Sequence, residues 1–223
     1  MTKQKTIQSP VYACGTGVHS GQQVKLTLLP APCETGIVFR QSSANGRAIR
    51  ASVNCVFSTD LATVITTASG DSVSTIEHLM AALAGLEISN CIVEIDGGEV
   101  PIMDGSAAPF VFLLESAGIQ QQDSPQEYIH IDSVIAVSDG ESWARLEPGS
   151  GFSVDVTIDY DHPYFLSGPQ QLCIDFSRQS FSQEVCRLRP SVVVAEDVAE
   201  ETAKTTTMIL SFKDKAVQTR LAK

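Results

Sequence analysis

An acidic side chain and an imidazole stand next to each other, Glu77 and His78, inside the segment STIEHLMAALAGL at 74–86. A carboxylate can take a proton from an attacking water, and a neutral imidazole can hold a divalent cation that acidifies that water. The pair therefore has the composition of a hydrolytic metal centre. It also has a structural use: Ser74 followed three positions later by Glu77 has the spacing of a capping box, in which each side chain satisfies a backbone N–H at a helix start. Ile76, Leu79, Met80, Leu83 and Leu86 recur along one helical face, which predicts an amphipathic helix with His78 at the margin of its apolar stripe. From this stretch alone both readings stand, a satisfied polar group or a ligand with a base beside it.

The elements that must hold this pair are short strands. VKLTLLP, GIVFR, RAIRASV and ATVITT read as strands separated by Gly, Pro and Asn-Gly signals, and a meander-like sheet is expected from them. After the helix come a buried strand, NCIVEID, a Gly/Pro-rich loop, GGEVPIMDGSA, and a second apolar helix, AAPFVFLLESAG, closed by Gly118. In the loop, Asp104 is placed to order a turn and cap the helix opening at Ser106. The polar stretch QQQDSPQE at 120–127 reads as a linker. Beyond it YIHIDSVIAVS, SWARLEPG, FSVDVTIDY and QLCIDFS restart a strand programme, and SRQSFSQEVCRL reads as helical. The expected fold is α+β, two similar layered units of small sheet plus helices, the second incomplete. Its parts are a first unit over 1–119, the linker at 120–127, a partial second unit over 128–187 and a divergent, disordered tail over 188–223, in which 195–204 could be helical.

Composition narrows the function. The 223 residues suffice for one large domain or two small ones, and a formal charge of −11 argues against binding nucleic acid or anionic lipid. No apolar run is long enough to cross a bilayer, so no stable membrane insertion is expected. The N-terminus, MTKQKTIQSP, has neither a secretory nor an organellar pattern, which points to the cytosol. Cysteines at 14, 33, 55, 91, 173 and 186 form no C-x-x-C pair, and reduced, mostly buried thiols are expected.

Five segments occur in an order that resembles one family: GTGVHSG (15–21), LTLLPAP (26–32), STIEHLMAALAGLEISNC (74–91), VPIMDGSAAPFV (100–111) and TIDYDHP (157–163). Over about residues 1–187 the chain resembles the UDP-3-O-acyl-N-acetylglucosamine deacetylases, zinc amidases of lipid A synthesis. The resemblance implies two similar units with helices facing across an active site. It implies that Glu77 is the general base, His78 a zinc ligand and His19 a residue near the substrate, and that Asp159 and Tyr160 lie beside the uridine. As a plain turn residue, His19 would instead satisfy backbone groups. Two departures stand out. Ser142 occupies a position where some relatives carry a lysine suited to the diphosphate, and the family's H-K-x-x-D motif, which completes the zinc site, is absent. The histidines here are 19, 78, 130 and 162, and His162 matches a different family position. The family function is zinc-dependent hydrolysis of the N-acetyl group of UDP-3-O-acyl-N-acetylglucosamine. The alternative for these 223 residues is an inert remnant, at most a nucleotide-sugar-binding one, with a frameshift or splice difference near 188 and a second sheet left uncovered.

Overall fold

The computed structural model describes residues 2–42, 47–159, 170–176, 181–188 and 205–213. The chain divides into two compact units, Met1–Gln126 with Phe181–Pro190, and Glu127–Ser180 with Ser191–Lys223. The fold is α+β.

In the first unit the strands are β1 (Lys3–Ile7), β2 (Val11–Thr16), β3 (Gln23–Pro30), β4 (Ile37–Gln41), β5 (Ala48–Arg50), β6 (Val56–Ser58), β7 (Val64–Thr66) and β8 (Ser72–Val73). Helix α1 (Glu77–Gly85), β9 (Cys91–Ile95), α2 (Ala108–Ser116) and β10 (Ile119–Pro125) follow. The main sheet has the order β2-β3-β9-β4-β5, so it is no meander: β9 enters between β3 and β4 and runs parallel to β4. The physical reason is the crossover through α1, which returns the chain in its original direction and seats the most apolar strand, CIVEI, at the centre. Alternation then fixes which face is inward. Leu26 stands opposite Ile95 and Leu28 opposite Val93, all fully buried, and Phe39 on β4 is opposite Val93. Burying each such side chain contributes roughly 1.5–3 kcal/mol.

Leu79, Ala82, Leu83 and Leu86 of the α1 segment and Phe110 and Leu114 of α2 complete this core. Met80, placed on the apolar stripe from sequence, is only half-buried, and Ala82 takes the buried position. In the α2 segment Asp104 orders the turn as expected, but the helix opens at Ala108 behind Ala107, with no side-chain cap, rather than at Ser106. Asp104 Oδ1 accepts from the Ser106 N–H and hydroxyl, the Ser106 hydroxyl oxygen accepts from the Ala108 N–H, and Pro109 occupies the first turn. Gly118, at φ +75°, ends the helix in the left-handed region that glycine tolerates.

The stretch 120–127 is mostly strand rather than linker, since β10 pairs antiparallel with β1. Its glutamines look like loop residues in sequence, but one of them closes a buried amide network. Gln122 donates to the Ala31 carbonyl at 2.8 Å and accepts from Asn90 at 2.7 Å, while Asn90 also donates to the buried Gln4. Of the segment read as a helix, residues 181–188 are described, and Phe181–Val185 form a π-helical turn; the ring of Phe181 lies against Gly85. The possible helix at 195–204 lies outside the described residues.

The second unit holds one sheet of β11 (Ile135–Asp139), β12 (Ser142–Glu147), β13 (Ser150–Asp159), β14 (Gln170–Asp175) and β15 (Thr205–Lys213), in the order β11-β12-β15-β13-β14. β15, TTTMILSFK, falls within 188–223, and its β-branched residues suit an extended strand. Among the described residues of this unit no helix covers the sheet, and Val137 and Leu172 are exposed.

No helix among the described residues is long and apolar enough to cross a membrane. All six cysteines are free, but Cys14, Cys33 and Cys173 are exposed, against the expectation of mostly buried thiols. The reason is local: Cys14 lies on the outward positions of β2, whose burial alternates, and Cys33 in the turn after β3.

Candidate functional site

Glu77 and His78 are the first two residues of α1, and both are half-buried at the edge of its apolar face. The expected capping box does not form. Ile76 is the residue before the helix, with no side-chain cap, and the Ser74 hydroxyl donates instead to the Gly98 carbonyl. The Glu77 carboxylate is held from outside the helix, its Oε2 accepting from the Thr63 N–H at 3.0 Å. Helix capping therefore does not account for this carboxylate. Among the described residues the His78 ring takes no hydrogen bond.

The segment leading into α1 is braced by residues 98–102. Ser74 N donates to the Gly98 carbonyl and Val100 N to the Ser74 carbonyl, each at 3.0 Å. On its other side the same segment meets the end of β2, where the Ile102 N–H donates to the Thr16 carbonyl at 3.0 Å. Between these attachments lies Glu99, 4% exposed. Its Oε1 accepts from the His19 N–H at 3.0 Å and the Thr75 hydroxyl at 3.2 Å, and its Oε2 accepts from the Ser20 N–H at 3.0 Å. Burial alone raises the Glu99 carboxyl. The bonds from the His19 N–H, the Ser20 hydroxyl and N–H and the Thr75 hydroxyl outweigh it and hold the group below the usual carboxylate range.

His19 is exposed, on a turn closed by the Gly17 N–H donating to Gln22 and the Gly21 N–H donating to Gly17, each at 2.9 Å. Thus the sequence-predicted residues Glu77, His78 and His19 lie on two segments joined through Glu99, a residue that motif reading passed over. The signal existed: Glu99 is the sole ionisable residue between Asp96 and Asp104. Asp159 is the last residue of β13 in the second unit, where its backbone is opposite Thr205. Tyr160 and His162 lie outside the described residues.

A catalytic zinc generally takes three protein ligands. Among the described residues no three His, Cys, Asp or Glu side chains gather, so these residues do not themselves amount to such a centre. His78 offers one donor.

The family profile for LpxC, UDP-3-O-acyl N-acetylglycosamine deacetylase, matches residues 4–217, a span that contains Glu77, His78, Glu99 and the His19 turn and extends past residue 187. The chain belongs to this family. It is 50% identical over 190 residues to the UDP-3-O-acyl-N-acetylglucosamine deacetylase of Pseudoalteromonas atlantica, and 48% identical over 193 residues to the same-named protein of Acidithiobacillus ferrooxidans. That of Shewanella frigidimarina is 45% identical over 190 residues. Each match covers 85% of this chain and 62% of the relative, so the chain spans less than two thirds of the length of these curated LpxC relatives.

Proposed function

We propose that this chain carries the base-bearing part of a deacetylase that hydrolyses the N-acetyl group of UDP-3-O-acyl-N-acetylglucosamine in lipid A biosynthesis, acting in the cytosol. The observation that carries this reading is the Glu77 carboxylate, fixed by the Thr63 N–H at the head of α1 rather than used up as a helix cap. In the reaction Glu77 removes a proton from water as the oxygen attacks the acetyl carbon. The amide C–N bond then breaks, the sugar nitrogen takes a proton, and acetate leaves. His19 contacts the substrate from the glycine-rich turn, and Asp159 and Tyr160 hold the uridine, the carboxylate by hydrogen bonding and the ring by stacking. His78 is assigned as a zinc ligand. Zinc needs two more protein ligands than the described residues bring together, and the chemistry these residues support by themselves is proton removal by Glu77.

That same shortage of ligands favours a second reading, an inert remnant that retains the first unit's fold and at most binds the nucleotide sugar. Zinc content of the purified chain, measured together with acetate release from UDP-3-O-acyl-N-acetylglucosamine, separates the two. About one zinc per chain with release that disappears in Glu77→Gln establishes the deacetylase, because a catalytic site carries one such ion and one base. Zinc-free protein that releases no acetate establishes the remnant.

A further inference from the structure

Glu99 presents a buried charge that no cation among the described residues neutralises. Its donors are two backbone N–H groups and two hydroxyls, and no lysine or arginine among the described residues pairs with it. A buried carboxylate costs several kcal/mol unless its acceptor sites are used, and here the facing donors use them. An amide does not fit here. The surrounding groups all donate, and the NH2 of a glutamine would face one of them. The turn is also shaped to the carboxylate: a Cβ on Gly17 would fall 2.3 Å from Glu99 Oε2. On the opposite side, the Thr75 hydroxyl bonds Glu99 from a residue at φ +57°, a left-handed conformation that is strained for a β-branched side chain. Thr75 precedes Glu77 by two positions.

We infer that Glu99 is a positioning residue: one carboxylate ties the turn that carries His19 to the strained segment that launches Glu77 and His78, so that the two segments move as one. This rests on the roles proposed for Glu77 and His19. The physical tie itself does not depend on those roles, and it can be measured without turnover.

The test uses the full chain with Glu99→Gln, Thr75→Ala and His19→Ala. Amide hydrogen exchange is followed at His19 and Ser20, with Leu26 and Val93 as core references. In Glu99→Gln the His19 and Ser20 amides should exchange at least about tenfold faster than in the wild type, the scale expected from losing bonds to a charged acceptor, while the references change far less. Thr75→Ala leaves the carboxylate in place and should still speed exchange at His19 and Ser20 a few-fold, through Glu99; it carries the test should Glu99→Gln not fold. Unchanged exchange at His19 and Ser20 in Thr75→Ala overturns the tie. In acetate release, Glu99→Gln should cost about tenfold on its own and less than about twofold on the His19→Ala background, because partners in one network are not additive. Equal losses on both backgrounds overturn the positioning role. Absence of acetate release from the wild type refutes the deacetylase reading instead, and the exchange results still decide whether Glu99 joins the two segments.

Discussion

Gly17→Ala is the substitution for which the geometry around Glu99 makes the sharpest demand. Gly17 has no positive φ, so alanine suits its backbone and the cost must come from space. The added Cβ would lie 2.3 Å from Glu99 Oε2, 2.4 Å from the Ser20 hydroxyl oxygen and 2.8 Å from Glu99 Cδ. A flexible side-chain end usually swings away at little cost, but this carboxylate is buried and held by its donors, so moving it breaks bonds that are individually worth about 1.5–3 kcal/mol as contacts to a charged acceptor. Adding about 1–3 kcal/mol for overpacking and allowing for partial relaxation, the first unit should lose about 2–4 kcal/mol. Gly21→Ala is the control. Gly21 lies in the same turn at φ +65° with nothing within 4 Å of an added Cβ, so it should cost only the left-handed strain of about 1–2 kcal/mol. Hydrogen exchange at Leu26, Leu28 and Val93 reports opening of this unit without requiring the whole chain to unfold in one step, and Gly17→Ala should raise those rates about thirtyfold or more. The cost should fall on a Glu99→Ala background, where the carboxylate atoms are gone and the Ser20 hydroxyl, freed from its buried acceptor, is the near neighbour left to turn away. Should Gly17→Ala prove no more disruptive than Gly21→Ala, the carboxylate is not clamped and the reasoning fails.

Glu77→Gln keeps an oxygen for the Thr63 N–H and should leave stability within about 0.5 kcal/mol while abolishing acetate release; a variant as active as the wild type removes Glu77 from the base role. Gly85→Ala would place a Cβ 2.1–2.4 Å from the Phe181 ring, so the turn beginning at Phe181 should detach and the buried Cys186 should react with a thiol reagent at a rate approaching that of exposed Cys14, whereas a rate as slow as in the wild type rejects this packing. Acid stability should show the Glu99 contribution. The folded carboxyl sits below its ordinary value of 4.5, so as pH falls the unfolded chain binds the proton first, and the stability Glu99 supplies above that value is lost as pH drops through the folded pKa. Urea midpoints between pH 6 and 3 should therefore fall more steeply in the wild type than in Glu99→Gln, and parallel curves contradict the assignment.

What could be read from sequence was governed by pattern. The alternation in VKLTLLP and CIVEI, the helical spacing of Leu79 and Leu83, and Gly118 closing α2 are local signals, and local sterics and burial act on them directly. The elements missed depend on distant partners. Strand β10 looks like a linker because its glutamines are polar, yet Gln122 is satisfied by Ala31 and Asn90 across the fold. Ser74 and Glu77 have capping-box spacing, but Gly98 and Thr63 offer competing partners that no local rule can foresee. Likewise Glu99 sits in no recognised motif, and its meaning appears only when the turn at 17–22 and Thr75 close on it.

The sheet of the second unit has a late arrival at its centre. β15 lies between β12 and β13, bonded to both, yet it begins at Thr205, well after the strands it joins. During synthesis the hairpin β11–β12 and the pair β13–β14 can form early, but they cannot merge until the ribosome has released residues 205–213. Until then two unpaired edges face solvent, so the nascent chain in that interval is the species that holdase chaperones or aggregation would meet.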